Sequence, residues 1–195
     1  MNPVTGNNLA DNDLVDRVLQ GDTRAFAVII KNTERLVAQI VFKMVRNGED
    51  RKDIAQDIYI KAFKKLPGFE HRSKLSTWIA SISYNTCLDY LKKKKLLLPG
   101  LDSGDDDTNM RYGTDQPAED VLVFKKELAA ILQEATEQLP PVYTTLITLY
   151  HKEEMSYDEI MQITGMPEGT IKNYLFRARK TLKEYLLKNY KQEEL

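Results

Sequence analysis

Between Phe26 and Val41 the apolar residues Phe26, Ile29, Ile30, Leu36, Val37, Ile40 and Val41 recur at helical intervals, the pattern of one buried face. The same period returns further along the chain, and no stretch sustains the alternation that a half-buried strand requires. This feature predicts an all-α protein. Turn signals then divide the periodic segments. A short helix is expected from about Asp13 to the turn Gly21-Asp22, followed by a long helix to Asn47. A third should run from about Arg51 to Leu66 and stop at Pro67-Gly68, and a fourth from about Lys74 to Lys95. These make one helical domain over 13–98, with 1–12 expected to be disordered.

The segment PGLDSGDDDTNMRYGTDQPAED has proline, glycine and acids with little to bury, and reads as a flexible acidic linker over 99–118. A calcium loop is the sharper alternative, because Asp105, Asp107 and Asn109 alternate as ligands would. It fails on Met110 at the glycine position and Gln116 at the bidentate glutamate position. A second helical domain is expected over 119–190, with a helix to Leu139, a break at Pro140-Pro141, and a helix through Tyr150. With 195 residues and a 42% hydrophobic share, the chain can fill one or two small cores.

Net charge is -1, but its distribution is uneven. Residues 1–98 carry 17 Lys/Arg against 11 Asp/Glu, residues 99–120 carry 1 against 7, and residues 121–195 carry 10 against 11. Within the last segment, Thr170 to Lys191 holds 7 cations and 1 anion. Two basic faces joined by an acidic connector suit a nucleic-acid partner. No apolar run is long enough to span a bilayer, and the start MNPVTGNNLADND lacks a secretory signal, so a soluble, intracellular protein is expected without direct membrane insertion. Cys87 is the single cysteine and suits a small buried side chain.

The second basic face lies in GMPEGTIKNYLFRARK, Gly165 to Lys180. Ser156 and Glu159 stand at capping-box spacing before a short helix with Ile160 and Ile163 inward. Thr164-Gly165-Met166 then breaks the pattern and Pro167 suits the first position of a new helix, which gives a helix-turn-helix. On that second helix Ile171, Leu175, Ala178, Leu182 and Leu186 form the buried stripe. Gly169, Lys172, Asn173, Phe176, Arg177, Lys180 and Lys183 are left opposite, a face of cations and amides fit for phosphates and base edges. An ordinary hairpin with a solvated cationic face is the plainer alternative.

The fourth helix carries the first basic face. Trp78, Ile82, Asn85 and Asp89 follow at spacings of four, three and four, running from aromatic to polar toward LKKKK. Such a stripe can position a base between an aromatic wall, an amide, a carboxylate and a cationic end. Plain core packing of Trp78, with Lys92 to Lys95 complementing a helix C-terminus, is the alternative. In the preceding loop PGFEHRSK, the Pro-Gly turn is expected to expose Phe69, His71 and Arg72, an aromatic beside cations for an unpaired base. His71 and His151 have no ligand partner at metal spacing, so no metal and no cofactor are expected.

Three blocks together carry a resemblance: DRKDIAQDIYIKAFKKLPGF, STWIASISYNTCLDYLKKKK and SYDEIMQITGMPEGTIKNYLFRARKTL. In this order the chain, from about Leu14 to Lys188, resembles a bacterial sigma factor of the extracytoplasmic-function group of the sigma-70 family. The resemblance implies that 13–98 is region 2, which grips core RNA polymerase and the -10 element, and that 119–190 is region 4, which reads the -35 element in the major groove. It implies Asp53, Gln56 and Asp57 as contacts to the polymerase clamp coiled coil, with the flap regions as a further polymerase contact. It places Phe69, Asn85 and Asp89 at the -10 element, where an extruded base is trapped, with Arg72 and Trp78 beside them. At the -35 element it places Gly169, Thr170, Lys172, Asn173, Phe176, Arg177 and Lys180. Promoter DNA and an anti-sigma factor are further implied partners, with the bacterial cytoplasm as location. The loop EHRSK, Met166 and Asn173-Tyr174 depart from frequent family residues, so the resemblance carries no base-by-base code.

No nucleophile-base pair or phosphate-binding glycine loop is present in the sequence, so no enzyme is expected. A freestanding operator-binding regulator leaves the first domain unexplained. An all-helical adaptor that binds only proteins predicts that Lys172, Asn173 and Arg177 can be neutralised without consequence and that no salt-dependent DNA affinity appears.

Overall fold

The computed structural model describes residues 6–97, 131–132, 134–136 and 138–189, and it is built of helices joined by turns. The linker expected over 99–118 lies outside the described residues. Helix α1 spans Gly6–Leu19, α2 Thr23–Met44, α3 Gly48–Lys65 and α4 Leu75–Leu97, with a 3₁₀ turn Leu66–Gly68 between α3 and α4. Helix α5, Pro141–Ile147, runs into a π-helical turn Thr148–Lys152, followed by α6 (Tyr157–Thr164) and α7 (Glu168–Asn189).

Helix α1 corrects an expectation, because it begins at Gly6, inside the stretch 1–12 expected to be disordered. Residues 6–12 carry no apolar stripe, and part of what anchors them is polar: the amide oxygen of Asn12 accepts from His71 Nδ1 at 2.6 Å. The starts of the next two helices follow their caps. Asp22 accepts from the amides of Arg24 and Ala25 to start α2, and Asn47 accepts from Glu49 N to start α3. Arg17 Nη2 donates to Asp22 at 2.8 Å, and this guanidinium contact, with the two amides, holds the Asp22 carboxyl below its ordinary value.

Helix α4 is the hub of the packing. It lies against α2 and α3, and a further face meets α6. Ile79, Ala80, Ser83, Tyr84 and Cys87 are all fully or almost fully buried along it, so small residues let neighbouring helices approach while Ile79 and Tyr84 fill the space between. Against them stand Ile29, Ile40 and Met44 of α2 and Ile58 of α3. The second unit closes around Leu146, Leu149, Ile160, Ile163, Ile171 and Leu175, and its apolar cluster is continuous with the first.

That continuity makes a seam. Helix α5 packs on α2 and α6 packs on α4, and two ion pairs cross between the units: Arg35 Nη2 to Glu153 Oε2 at 2.6 Å and Lys74 Nζ to Glu159 Oε1 at 2.7 Å. Glu159 also closes the capping box of α6, its Oε2 accepting from Ser156 N at 3.0 Å while Ser156 Oγ accepts from Glu159 N at 3.3 Å. Partial burial works to raise the Glu159 pKa, but Lys74 and the Ser156 amide and hydroxyl outweigh it and hold the carboxyl below its ordinary value.

Two outcomes are expected. Ile79→Ala, at a fully buried site, should cost about 2–5 kcal/mol in urea unfolding. A depressed carboxyl contributes stability that is complete above its ordinary value, near 4.5, and lost as pH falls through the lower folded value. Acidification should therefore loosen the seam, read as a rise in radius of gyration by small-angle scattering, and Glu159→Gln should remove that pH-dependent component.

Candidate nucleic-acid and polymerase interface

A polar cleft of about 250 Å³ lies between α3 and α4, lined by Lys61, Lys65, Trp78, Ser81, Ile82, Asn85, Thr86 and Asp89. The spacing of Trp78, Ile82, Asn85 and Asp89 along α4 puts all four on this side of the helix. Trp78 is half-buried and Ile82 buried, whereas Asn85 and Asp89 are exposed. Asn85 Nδ2 donates to the Ser81 carbonyl at 2.9 Å, which fixes the amide and leaves its Oδ1 to accept from a ligand. The cleft therefore runs from an aromatic wall to an amide and a carboxylate, with two ammonium groups across from them.

Those ammonium groups, Lys61 and Lys65, were missed in the sequence, as were Ser81 and Thr86. The available signal was that Lys61 and Lys65 stand four apart and so share a face of α3. Which face they share depends on how α3 packs against α4.

Phe69 corrects another expectation. Rather than being exposed by the Pro-Gly turn, it is buried, with 8% of its surface accessible. The 3₁₀ turn ends with Phe69 N donating to Leu66 O at 3.0 Å, and the ring turns inward to meet Trp78 at 5.2 Å between centroids. An aromatic ring beside an apolar core gains more from burial than from exposure. Phe69 thus buttresses the Trp78 wall from behind. His71 and Arg72 are exposed as expected. His71 adopts a left-handed backbone, φ 55°, and Arg72 Nε pairs with Glu70 at 2.9 Å.

Asp53, Gln56 and Asp57 stand exposed on α3, so the structure brings the three sequence-assigned polymerase contacts onto one helix. Gln56 also borders an apolar groove of about 400 Å³ between α2 and α3, where Ile60 and Phe63 remain about half-exposed. Asp57 Oδ2 pairs with Lys61 Nζ at 2.7 Å.

The helix-turn-helix forms as its sequence indicates. The capping box starts α6 and Gly165 ends it in the left-handed conformation, φ 71°. Pro167 takes the position before α7 rather than its first residue, with its carbonyl accepting from Ile171 N at 3.1 Å. Ile171, Leu175 and Ala178 are fully buried, while Leu182 and Leu186 are half-buried as the helix leaves the core. Gly169, Lys172, Asn173, Phe176, Arg177 and Lys180 are exposed, with Phe176 at 63%, and Thr170 is intermediate. Lys172 Nζ is 2.7 Å from Glu168 and 5.2 Å from the centre of the Tyr157 ring. The Glu168 hydrogen bond raises its pKa.

The described residues thus form a helical bundle with an aromatic-to-polar cleft, followed by a helix-turn-helix with an exposed cationic face. Comparison with known families agrees with that architecture. Residues 29–96 match Sigma-70 region 2, and residues 129–182 match Sigma-70, region 4. The ECF RNA polymerase sigma-E factor of Haemophilus influenzae is 33% identical over 180 residues, covering 89% of this chain and 94% of that one. The ECF RNA polymerase sigma factor SigW of Bacillus subtilis is 31% identical over 176 residues, covering 88% and 94%. Among solved structures, CnrH in complex with the cytosolic domain of CnrY aligns with a TM-score of 0.62 at 20% identity, covering 93% of this chain and 99% of that one. The Bartonella quintana sigma factor RpoE, solved with the anti-sigma factor NepR, aligns at 0.60 and 23% identity, covering 85% and 98%. The chain belongs to the extracytoplasmic-function sigma factors of the sigma-70 family. It is a transcription initiation factor that directs core RNA polymerase to promoters, and it is not an enzyme.

Cys87 lies in the α4 core, and burial pushes its thiol up to about 12 despite the opposing influence of Lys61. In native protein at about pH 8 it should react with a disulfide reagent only at the rate of unfolding, so thiol release and loss of helicity should coincide in denaturant.

Proposed function

We propose that the cleft between α3 and α4 receives an unpaired base of the -10 element, that the exposed face of α7 reads the -35 element as duplex, and that Asp53, Gln56 and Asp57 dock on the polymerase clamp coiled coil. The observation that carries this reading is the cleft itself: an aromatic wall, a fixed amide and a carboxylate face two lysines in a space of about 250 Å³. Unstacking a base costs a few kcal/mol, and a preformed site offsets part of that cost. At the other end, Lys172, Asn173, Arg177 and Lys180 supply phosphate and base-edge chemistry at the start and middle of a helix entering the major groove. The flap contact, a cytoplasmic location and regulation by an anti-sigma factor belong to the same reading. Their support is family membership and the anti-sigma partner named with one structural relative. Among the described residues no helix is long and apolar enough to cross a membrane.

This reading requires the seam to open. The names of the two elements set them about 25 base pairs apart, or about 85 Å at 3.4 Å per base pair. Helix α4, with 23 residues, is only about 35 Å long, and α6 of the helix-turn-helix rests directly on it. One closed body of this size cannot meet both elements, so engagement with polymerase and promoter must separate the units.

Run-off transcription with core polymerase on a pooled promoter library, followed by sequencing of transcript ends, tests the whole reading. Discrete starts preceded by two spaced motifs are expected. On a promoter found that way, Asn85→Ala should reduce permanganate reactivity at the -10 region while leaving duplex binding nearly intact. Arg177→Ala should weaken promoter binding by roughly 1–3 kcal/mol through the -35 element. Normal opening by the Asn85 variant would remove the base from the cleft.

A further inference from the structure

Lys61 belongs to two surfaces at once. Its ammonium is 2.7 Å from Asp57 Oδ2, one turn back on α3, and donates to Thr86 Oγ1 of α4 at 3.3 Å. Thr86 is buried in the cleft wall, beside Asn85 on the same helix. Asp57 is about half-exposed on the outer face assigned to polymerase, so a single cation joins the docking face to the base-binding cleft.

We propose that Lys61 couples the two: in the free protein Asp57 holds and neutralises its ammonium, and docking of Asp57 on polymerase releases it to a phosphate of the unpaired -10 strand. The inference rests on the proposed roles of Asp57 and the cleft. The exchange is physically easy. A partly exposed ion pair is held weakly because water screens it, and its partners exchange at little cost. A DNA phosphate supplies the same kind of charge-assisted acceptor as the carboxylate it replaces, so Lys61 loses nothing in chemistry on changing partner. Lys65, one turn further on the same wall, adds to the field that a phosphate entering the cleft would meet. Polymerase docking then does more than tether the protein to the enzyme, because it changes the charge of a site on the adjoining face.

The test uses the full chain and a fluorescein-labelled, mixed-sequence single-stranded 12-mer, with the matching duplex as comparison, by anisotropy at several salt concentrations. Without polymerase, Asp57→Asn should tighten single-strand binding about three- to tenfold and steepen its salt dependence by about one phosphate contact, with a smaller gain on duplex. Lys61→Met should cancel that gain in the double variant, and Glu49→Gln, which removes a charge elsewhere on α3, should not reproduce it. In holoenzyme, Lys61→Met should reduce permanganate reactivity at the -10 region without weakening the affinity for core polymerase, because it leaves Asp57 free to dock. Equal affinity of Asp57→Asn and the parent, an equal gain with Glu49→Gln or on duplex, or a gain that survives Lys61→Met would each overturn the coupling. If that happens while Asn85→Ala still impairs opening, only the coupling falls. If Asn85→Ala opens normally, the reading of the cleft falls with it.

Discussion

The burial of α4 on several sides sets the geometry of everything else. A helix packed by α2, α3 and α6 at once must carry small residues where backbones approach, and Ala80, Ser83 and Cys87 meet that demand. Ser83 hides its hydroxyl by donating to the Ile79 carbonyl at 2.8 Å, so the close approach leaves no orphaned polar group there. Because the other sides are occupied, one strip of α4 is left for outside partners, the strip from Trp78 to Asp89. The cleft is what remains after the core has taken its share of this helix.

The same packing explains how an aromatic residue can be presented without being mobile. Trp78 is backed by Phe69, whose ring also lies 4.6 Å from that of His71. A tryptophan standing alone on a helix surface would sample several rotamers, and ordering it on a ligand would cost conformational entropy. Packed from behind, it loses that freedom on folding. The polar end of the cleft is fixed in a similar way, since the Asn85 amide is held by the backbone of its own helix.

Local periodicity made the helices legible. The stripe Ile171, Leu175 and Ala178, the Ser156 to Glu159 box and the stop at Gly165 are all visible as spacings, and each depends only on residues a turn or two apart. What was illegible depends on distant partners. The inward turn of Phe69 needs Trp78, and the helical start at Gly6 is accompanied by a contact from His71. The placement of Lys61 on the cleft needs Thr86, a residue on another helix. The α4 side of the cleft could be read from one helix, whereas the α3 side could not, because a lysine near a helix end looks the same whether it faces water or a neighbouring helix. The seam was hidden for the same reason: Arg35 with Glu153 and Lys74 with Glu159 lie far apart in the chain and follow no pattern within either helix.

The seam carries ion pairs on lysine and arginine side chains that are themselves mostly exposed, and two buried polar atoms near it, Tyr84 Oη and Glu153 Oε1, have no protein partner among the described residues. Such a joint resembles a transient interface more than a domain core. Glu159 meets Lys74 through Oε1 and Ser156 through Oε2, so the cap of the first helix of the helix-turn-helix does not depend on the oxygen that crosses the seam. Ionic strength then acts in two opposite directions. Added salt screens the phosphate contacts proposed for α7, but it also screens the pairs that hold the units closed. For the unassisted protein the two effects partly cancel, so the salt dependence of DNA binding would undercount the cations that touch the phosphates in the proposed complex.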